Sequence, residues 1–213
     1  MNDLDTARQR MVESQLRSRG IADARVLEAM LRVPRHEFVP ESYREQAYED
    51  HPLPIGEGQT ISQPYVVAAM LATLQLNPSD KVLEVGTGSG YVTALLAELA
   101  GEVHSIERHT LLAENAHNLL ARLGYKNVNP ITGDGSLGLP DAAPFDAIIV
   151  SAAAADVPHA LLDQLGEGGR MIIPVGNAES QQLLFIRKIN GQAVSSAREA
   201  VRFVPLISEK RRE

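Results

Sequence analysis

Gly86-Thr87-Gly88-Ser89-Gly90 is the feature that most restricts what this chain can fold into. It follows the apolar run Val82-Leu83-Glu84-Val85 and precedes the helix-patterned stretch Tyr91 to Leu99. The pentapeptide therefore reads as a strand, a glycine turn and a helix N-terminus. Such a turn aims bare backbone N–H groups at a ligand, and glycine lets the main chain approach where a Cβ would collide. A dinucleotide fingerprint would need its third glycine at position 91, which is Tyr91, so the spacing fits that ligand poorly. Ser89 does not read as a hydrolase nucleophile either, because an elbow would need glycines where Thr87 and Tyr91 stand.

Two acids extend the pattern. Glu107 ends the next strand-like run, Glu102 to Glu107, about twenty residues beyond the glycines, where a carboxylate accepts hydrogen bonds from ribose hydroxyls. Asp134 stands in Gly133-Asp134-Gly135, just after the run Val128 to Thr132. Alone, each reads as a solvated strand-end acid or an Asp-Gly turn. Together the three features fall at the carboxyl ends of successive strands, the edge where open α/β sheets bind ligands. S-adenosylmethionine suits this arrangement better than a dinucleotide.

With 213 residues, 44% of them hydrophobic, the chain has material for one domain with a substantial core. A cap and substrate segment is expected over residues 1–76 and a cofactor-binding core over 77–213. The net charge of −7 disfavours partners held by nucleic-acid phosphates, and the basic tail Lys210-Arg211-Arg212 is too short to reverse it. Lack of cysteine excludes disulfides and thiolate-metal sites. The six histidines are scattered, and even His104 and His109 straddle a strand end, so no metal site is expected. The start, Met1-Asn2-Asp3-Leu4-Asp5, is acidic and polar, and no apolar run approaches membrane-spanning length. The expectation is a soluble, cytoplasmic monomer without nucleic-acid or membrane partners.

Seven strands are predicted: Lys81 to Val85, Glu102 to Glu107, Val128 to Thr132, Phe145 to Ser151, Arg170 to Val175, Leu183 to Asn190 and Val201 to Pro205. Helical patterns separate the first five, the signature of a doubly wound, mostly parallel sheet. The last two are joined through Asn190-Gly191 with no room for a helix, so they should pair as an antiparallel hairpin. Upstream, Thr6 to Arg19 and Ala24 to Leu31 read as helices, and Asp50 to Gln63 is a loop-rich stretch of a length that usually binds something. Tyr65 to Leu76 is amphipathic, with Pro64 suited to a first helical turn and Ser62 to the N-cap. A helix N-terminus there would also suit a carboxylate.

Several motifs, in order along nearly the whole chain, resemble the protein-L-isoaspartate (D-aspartate) O-methyltransferase family. They are Val33-Pro34-Arg35-His36-Glu37-Phe38-Val39-Pro40, Pro52-Leu53-Pro54-Ile55-Gly56, Gly58-Gln59-Thr60-Ile61-Ser62-Gln63-Pro64-Tyr65, Leu83 to Tyr91, Gly133-Asp134-Gly135, Pro144-Phe145-Asp146, Gly168-Gly169-Arg170 to Pro174-Val175-Gly176, and Phe203-Val204-Pro205-Leu206. The glycine motif is shared by many methyltransferases, whereas Gln-Thr-Ile-Ser-Gln-Pro is specific to this family. The resemblance implies an α/β, Rossmann-like methyltransferase fold with an N-terminal helical and loop cap. It implies repair of damaged proteins and peptides by methyl transfer from S-adenosylmethionine to the free carboxylate of L-isoaspartyl residues, with D-aspartyl residues as further candidates. It makes Ser62 the active-site serine and sets Thr60, Ile61, Ser62, Val204 and Pro205 against the substrate. Gln59, Thr60, Glu84, Gly86, Thr87, Gly88, Ser89, Glu107, Arg108, Asp134 and Gly135 would meet the cofactor. The chain departs from some relatives at Ser136-Leu137-Gly138, where they carry a large aromatic, and at Ser151-Ala152-Ala153-Ala154-Ala155, where they carry prolines.

A carboxylate substrate has a pKa of about 4 and is already ionised at neutral pH, so the reaction needs alignment rather than a general base. His36 accordingly reads as a packing or capping residue. A methyltransferase acting on a small-molecule carboxylate is the nearest alternative, followed by a nucleic-acid methyltransferase, a nicotinamide dehydrogenase and a catalytically idle cofactor-binding module.

Overall fold

The computed structural model describes residues 3–208. The tail Lys210-Arg211-Arg212 and the first two residues of the acidic start lie outside the described residues. Helix α1 (Asp3–Arg10) runs on without a break through a wider segment, Met11–Leu16, and a tight turn, Arg17–Arg19. It stops at Gly20, whose φ of 93° few other residues adopt. Helix α2 (Ala24–Arg32) starts at Asp23, whose side chain accepts from the N–H groups of Arg25 and Val26. It ends where Val33 precedes Pro34, a position that disfavours helical backbone. An antiparallel hairpin, β1 (Leu53–Gly56) and β2 (Gln59–Ile61), leads into α3 (Pro64–Leu74), with the expected proline in its first turn.

The main sheet comprises β3 (Lys81–Val85), β4 (Glu102–Glu107), β5 (Val128–Thr132), β6 (Phe145–Val150), β7 (Leu165–Gly176), β8 (Gln181–Ile189) and β9 (Gln192–Val201). Helices α4 (Tyr91–Leu99), α5 (Thr110–Arg122) and α6 (His159–Gln164) connect β3 to β4, β4 to β5 and β6 to β7, while β5 reaches β6 through two tight turns, Gly135–Leu137 and Pro140–Ala142. The spatial order is β5-β4-β3-β6-β7-β8-β9. Strands β3 to β7 pair parallel, while β7 with β8 and β8 with β9 pair antiparallel. The chain steps outward from β3 to β5 and then returns to the other side of β3 as β6. Strand order therefore reverses between β3 and β6, and the glycine turn leaves β3 at that point.

Three strands, β3, β4 and β5, coincide with the sequence expectation. The final one does not: the predicted Val201 to Pro205 is replaced by β9 at Gln192–Val201. The two-residue Asn190-Gly191 turn sets Gln192 directly opposite Ile189, so pairing begins at once. This strand is almost wholly exposed, and its Ala and Val residues do not follow the apolar alternation that marks a strand in sequence. Ser151 likewise falls just past β6.

Apolar side chains alternate across the sheet. Val82, Val103, Ala147 and Ile149 face a cluster that includes Met11, Leu16, Leu27, Met30, Leu71, Leu74 and Leu95. Leu83, Val85, Ile148 and Val150 face the opposite cluster, with Leu161, Leu165 and Met171. Residues from the first 76 thus share one core with the sheet, which fixes the β1–β2 hairpin relative to the carboxyl ends of the strands. Among the described residues no helix is long and apolar enough to cross a membrane.

Candidate active site

Gly86, Gly88 and Gly90 all have positive φ, 95°, 54° and 87°. The turn is anchored on β4: the Ile106 carbonyl accepts from the N–H of Gly86 at 2.8 Å and of Thr87 at 3.3 Å. A Cβ at Gly88 would lie 3.3 Å from Ile55 Cδ1, so the β1–β2 hairpin packs directly on the glycine turn. Glu107, only 5% exposed, accepts from Gly88 N–H on Oε2 and from His109 N–H on Oε1, both at 2.9 Å. His109 Nδ1 in turn lies 3.7 Å from Glu57 Oε2 at the hairpin tip.

A cavity opens between these elements at the strand-order reversal. Of the residues expected in the site, Gln59, Thr60, Ile61, Ser62, Gly86, Thr87, Gly88, Ser89, Glu107, Arg108, Gly135, Val204 and Pro205 line it. Val92, His109, Ser151, Ala152, Leu206 and Ile207 line it too; of these, Leu206 stood in a family motif and Ser151-Ala152 in a departure from it, and the others were not assigned to the site from sequence. Gly135 is required by packing, since a Cβ there would lie 2.5 Å from Val85 Cγ1.

Glu84 and Asp134 are not brought to the cavity wall. Strand alternation turns the Glu84 side chain away from the mouth and toward α4, where it is fully buried. Its Oε2 accepts from Thr93 Oγ1 at 2.5 Å and Ser105 Oγ at 2.6 Å, while Oε1 has no partner. Burial pushes its pKa up to about 8, against the hydrogen bonds from Ser105 and Thr93. Glu84 reaches the cavity only indirectly, since the Ser105 and Thr87 hydroxyls are 2.5 Å apart and Thr87 lines the wall. Asp134 folds back to cap the tight turn Gly135–Leu137, its Oδ1 accepting from Ser136 N–H at 2.9 Å and Ser136 Oγ at 2.7 Å. Ser136 is thus part of a turn, and the neighbouring Leu137 is 60% exposed.

Ser62 is not the cap of α3. The N-cap position is Gln63, without a side-chain capping bond, and the Tyr65 N–H donates instead to Asp50 Oδ1 at 3.3 Å. The helix N-terminus is therefore already served by a carboxylate of the chain, brought in by the hairpin from a distant position. Ser62 is half-buried and lines both the cavity and an adjoining cleft, which includes Pro52, Thr60, Gln63, Val66, Ser151 and residues 200–204. Ser62 stands where the two spaces meet.

Val204 reaches this junction, and Pro205 the cavity beside it, because the chain beyond β9 crosses back over the sheet edge. Ala153 N–H donates to the Val204 carbonyl and Leu206 N–H to the Ala153 carbonyl, each at 2.7 Å. The Gln181 amide clamps Phe203 from both sides, accepting from its N–H at 2.6 Å and donating to its carbonyl at 3.1 Å. The small residues of Ala152 to Ala154 permit that close approach. His36 lies away from the cavity, its Nδ1 2.7 Å from the Tyr48 hydroxyl, and burial lowers its pKa; it packs the N-terminal region.

Residues 6–211 match the family described as Protein-L-isoaspartate(D-aspartate) O-methyltransferase (PCMT). A protein-L-isoaspartate O-methyltransferase of Koribacter versatilis is 57% identical over 203 residues, covering 95% of this chain and 91% of the relative. A solved Plasmodium falciparum protein of the same description, in complex with S-adenosyl-L-homocysteine, superposes with a TM-score of 0.83 at 30% identity and covers 97% of this chain and 99% of that one. A further solved protein-L-isoaspartate O-methyltransferase gives a TM-score of 0.87 at 32% identity, over 94% of this chain and 66% of the other. With the family match spanning residues 6–211 and more than half of the positions identical to a relative covered nearly end to end, the chain belongs to the protein-L-isoaspartate(D-aspartate) O-methyltransferase family.

Proposed function

We propose that the cavity holds S-adenosylmethionine and that the adjoining cleft presents the free carboxylate of an L-isoaspartyl residue at Ser62, for methylation in the repair of damaged proteins. The single observation that carries this reading is the position of Ser62 on the wall common to both spaces. The wall suits an adenosyl group. Gly86, Gly88 and Gly135 keep it free of side chains where neighbours crowd it, and each Glu107 oxygen, already accepting one N–H, retains a lone pair for a ribose hydroxyl. When bound, S-adenosylmethionine supplies a methyl group on a sulfonium, which a carboxylate oxygen attacks in line.

The protein's part is orientation and dehydration. Ser62 donates a hydrogen bond to the carboxylate, which is ionised at neutral pH and requires no base. Holding the reacting groups in line supplies up to about 7 to 11 kcal/mol of barrier reduction. The β1–β2 hairpin and the strap at residues 203–207 cover the junction and limit water there, which favours a step in which opposite charges cancel. In this reading residues 1–76 act as the cap and substrate segment and residues 77–213 as the cofactor-binding core. The protein acts as a cytoplasmic monomer; its net charge of −7 argues against nucleic-acid phosphate as a partner.

The test is methyl transfer from labelled S-adenosylmethionine to paired peptides that differ only in an L-isoaspartyl or a normal aspartyl linkage. Labelling of the isoaspartyl peptide alone is expected. Equal labelling of both peptides would overturn the substrate class, and labelling of neither, with a free small-molecule carboxylate accepted instead, would favour the alternative.

A further inference from the structure

Asp50 precedes the β1–β2 hairpin and Gln63 follows it. The hairpin register pairs Leu53 with Ile61 and Pro54 with Thr60, and its continuation sets Pro52 opposite Ser62. Pro52 has no N–H to offer, so the ladder ends there. The Asp50 carboxylate closes the base instead. Its Oδ2 accepts from Gln63 Nε2 at 2.9 Å and from an Arg19 guanidinium nitrogen at 2.5 Å, and its Oδ1 accepts from Tyr65 N–H at 3.3 Å. The same Arg19 guanidinium lies 3.5 Å from the centre of the Tyr65 ring. One carboxylate thus binds the residue after Ser62, the first turn of α3 and the end of the first helical run.

The first N–H groups of a helix have no partner within it, and an N-cap side chain ordinarily serves them from the adjacent residue. Here a carboxylate 15 residues upstream does so, and it also meets the positive end of the helix dipole. Among the described residues the Ser62 hydroxyl is left without a hydrogen-bond partner, at the junction of the two clefts.

We propose that Asp50 is a positioning residue for methyl transfer: it locks Gln63 and Tyr65 on either side of the Ser62 turn and takes over the capping role that would otherwise engage the Ser62 hydroxyl. The inference rests on Ser62 meeting the isoaspartyl carboxylate. Asp50 itself touches neither substrate nor cofactor. Its removal frees the turn to rotate, and in the absence of Asp50 the Ser62 hydroxyl is the nearest replacement cap, which turns it away from the substrate.

The experiment compares Asp50→Ala, Asp50→Asn and Ser62→Gly for steady-state methylation of an isoaspartyl peptide, S-adenosylhomocysteine binding by calorimetry, and thermal unfolding. For Asp50→Ala, misplacement of the turn should lower peptide kcat/KM by about 10- to 100-fold while S-adenosylhomocysteine affinity stays within about twofold, because the glycine turn and Glu107 are untouched. Asp50→Asn keeps an oxygen for the Tyr65 N–H and should recover most of the loss. Full activity of Asp50→Ala alongside an inactive Ser62→Gly overturns the positioning role and leaves the reading of Ser62 intact. Full activity of both variants overturns the two together. Parallel loss of cofactor affinity, folding and activity in Asp50→Ala, or an Asn variant as impaired as the Ala variant, also overturns the proposal, since either outcome assigns Asp50 to general stability or to its ion pair with Arg19.

Discussion

The Glu107 carboxylate holds the Gly88 N–H at 2.9 Å, tying the acid at the end of β4 to the middle of the glycine turn on β3. One side chain therefore does two things at once. It fixes the turn and faces the cavity in which the ribose is proposed to lie.

Replacing Glu107 by Ala is expected to weaken S-adenosylhomocysteine binding by about 1.5 to 3 kcal/mol for each charge-assisted hydrogen bond lost, read by calorimetry. The turn should loosen as well, because the Gly88 and His109 N–H groups lose their acceptor. Unchanged affinity would return Glu107 to a purely structural role.

Ser62→Ala should fold with stability within about 0.5 kcal/mol of the parent and Ser62→Gly within about 1 kcal/mol, the difference being the backbone freedom that glycine adds to the unfolded chain. This follows from the capping of α3 by Asp50, not Ser62. Methyl transfer should nevertheless fall steeply while S-adenosylhomocysteine still binds. A glycine variant with full turnover would show that the hydroxyl is dispensable.

Glu84 makes stability depend on pH. Its pKa rises from 4.5 in the unfolded reference to about 8 in the folded chain, chiefly through burial. Between those values the folded chain retains a proton that the unfolded chain has released. Stability therefore falls as pH rises through this window, by up to about 1.4 kcal/mol per pH unit from this group. Glu84→Gln, which mimics the protonated form, should flatten that slope in urea titrations at a series of pH values. Parallel wild-type and variant slopes would mean that Glu84 is ionised in the fold.

Gly135→Ala introduces a Cβ 2.5 Å from Val85 Cγ1. Overpacking of this kind costs about 1 to 3 kcal/mol, and the shift is delivered to the cavity wall. Both the unfolding midpoint and S-adenosylhomocysteine affinity should drop. A variant matching the parent in both would show that Val85 can give way freely.

The sequence by itself determined the elements whose cause is local. A short β-rich apolar run marks β3, and the glycines at 86, 88 and 90 mark a turn that only positive φ allows. Asn190-Gly191 announces the hairpin, although the exposed β9 that follows it has no apolar alternation to reveal its extent. Tertiary structure decided the rest, because the partners lie far apart along the chain. The direction of the Glu84 side chain depends on which face of the sheet α4 covers, and Ser62 is relieved of capping only because the hairpin brings Asp50 to Tyr65. Val204 and Pro205 reach the cavity because Ala153 and Gln181 supply backbone-like partners to a strap that a strand period cannot describe. Short-range periodicity records which face a residue prefers, whereas the closure of distant segments on one another is set by packing across the whole sheet.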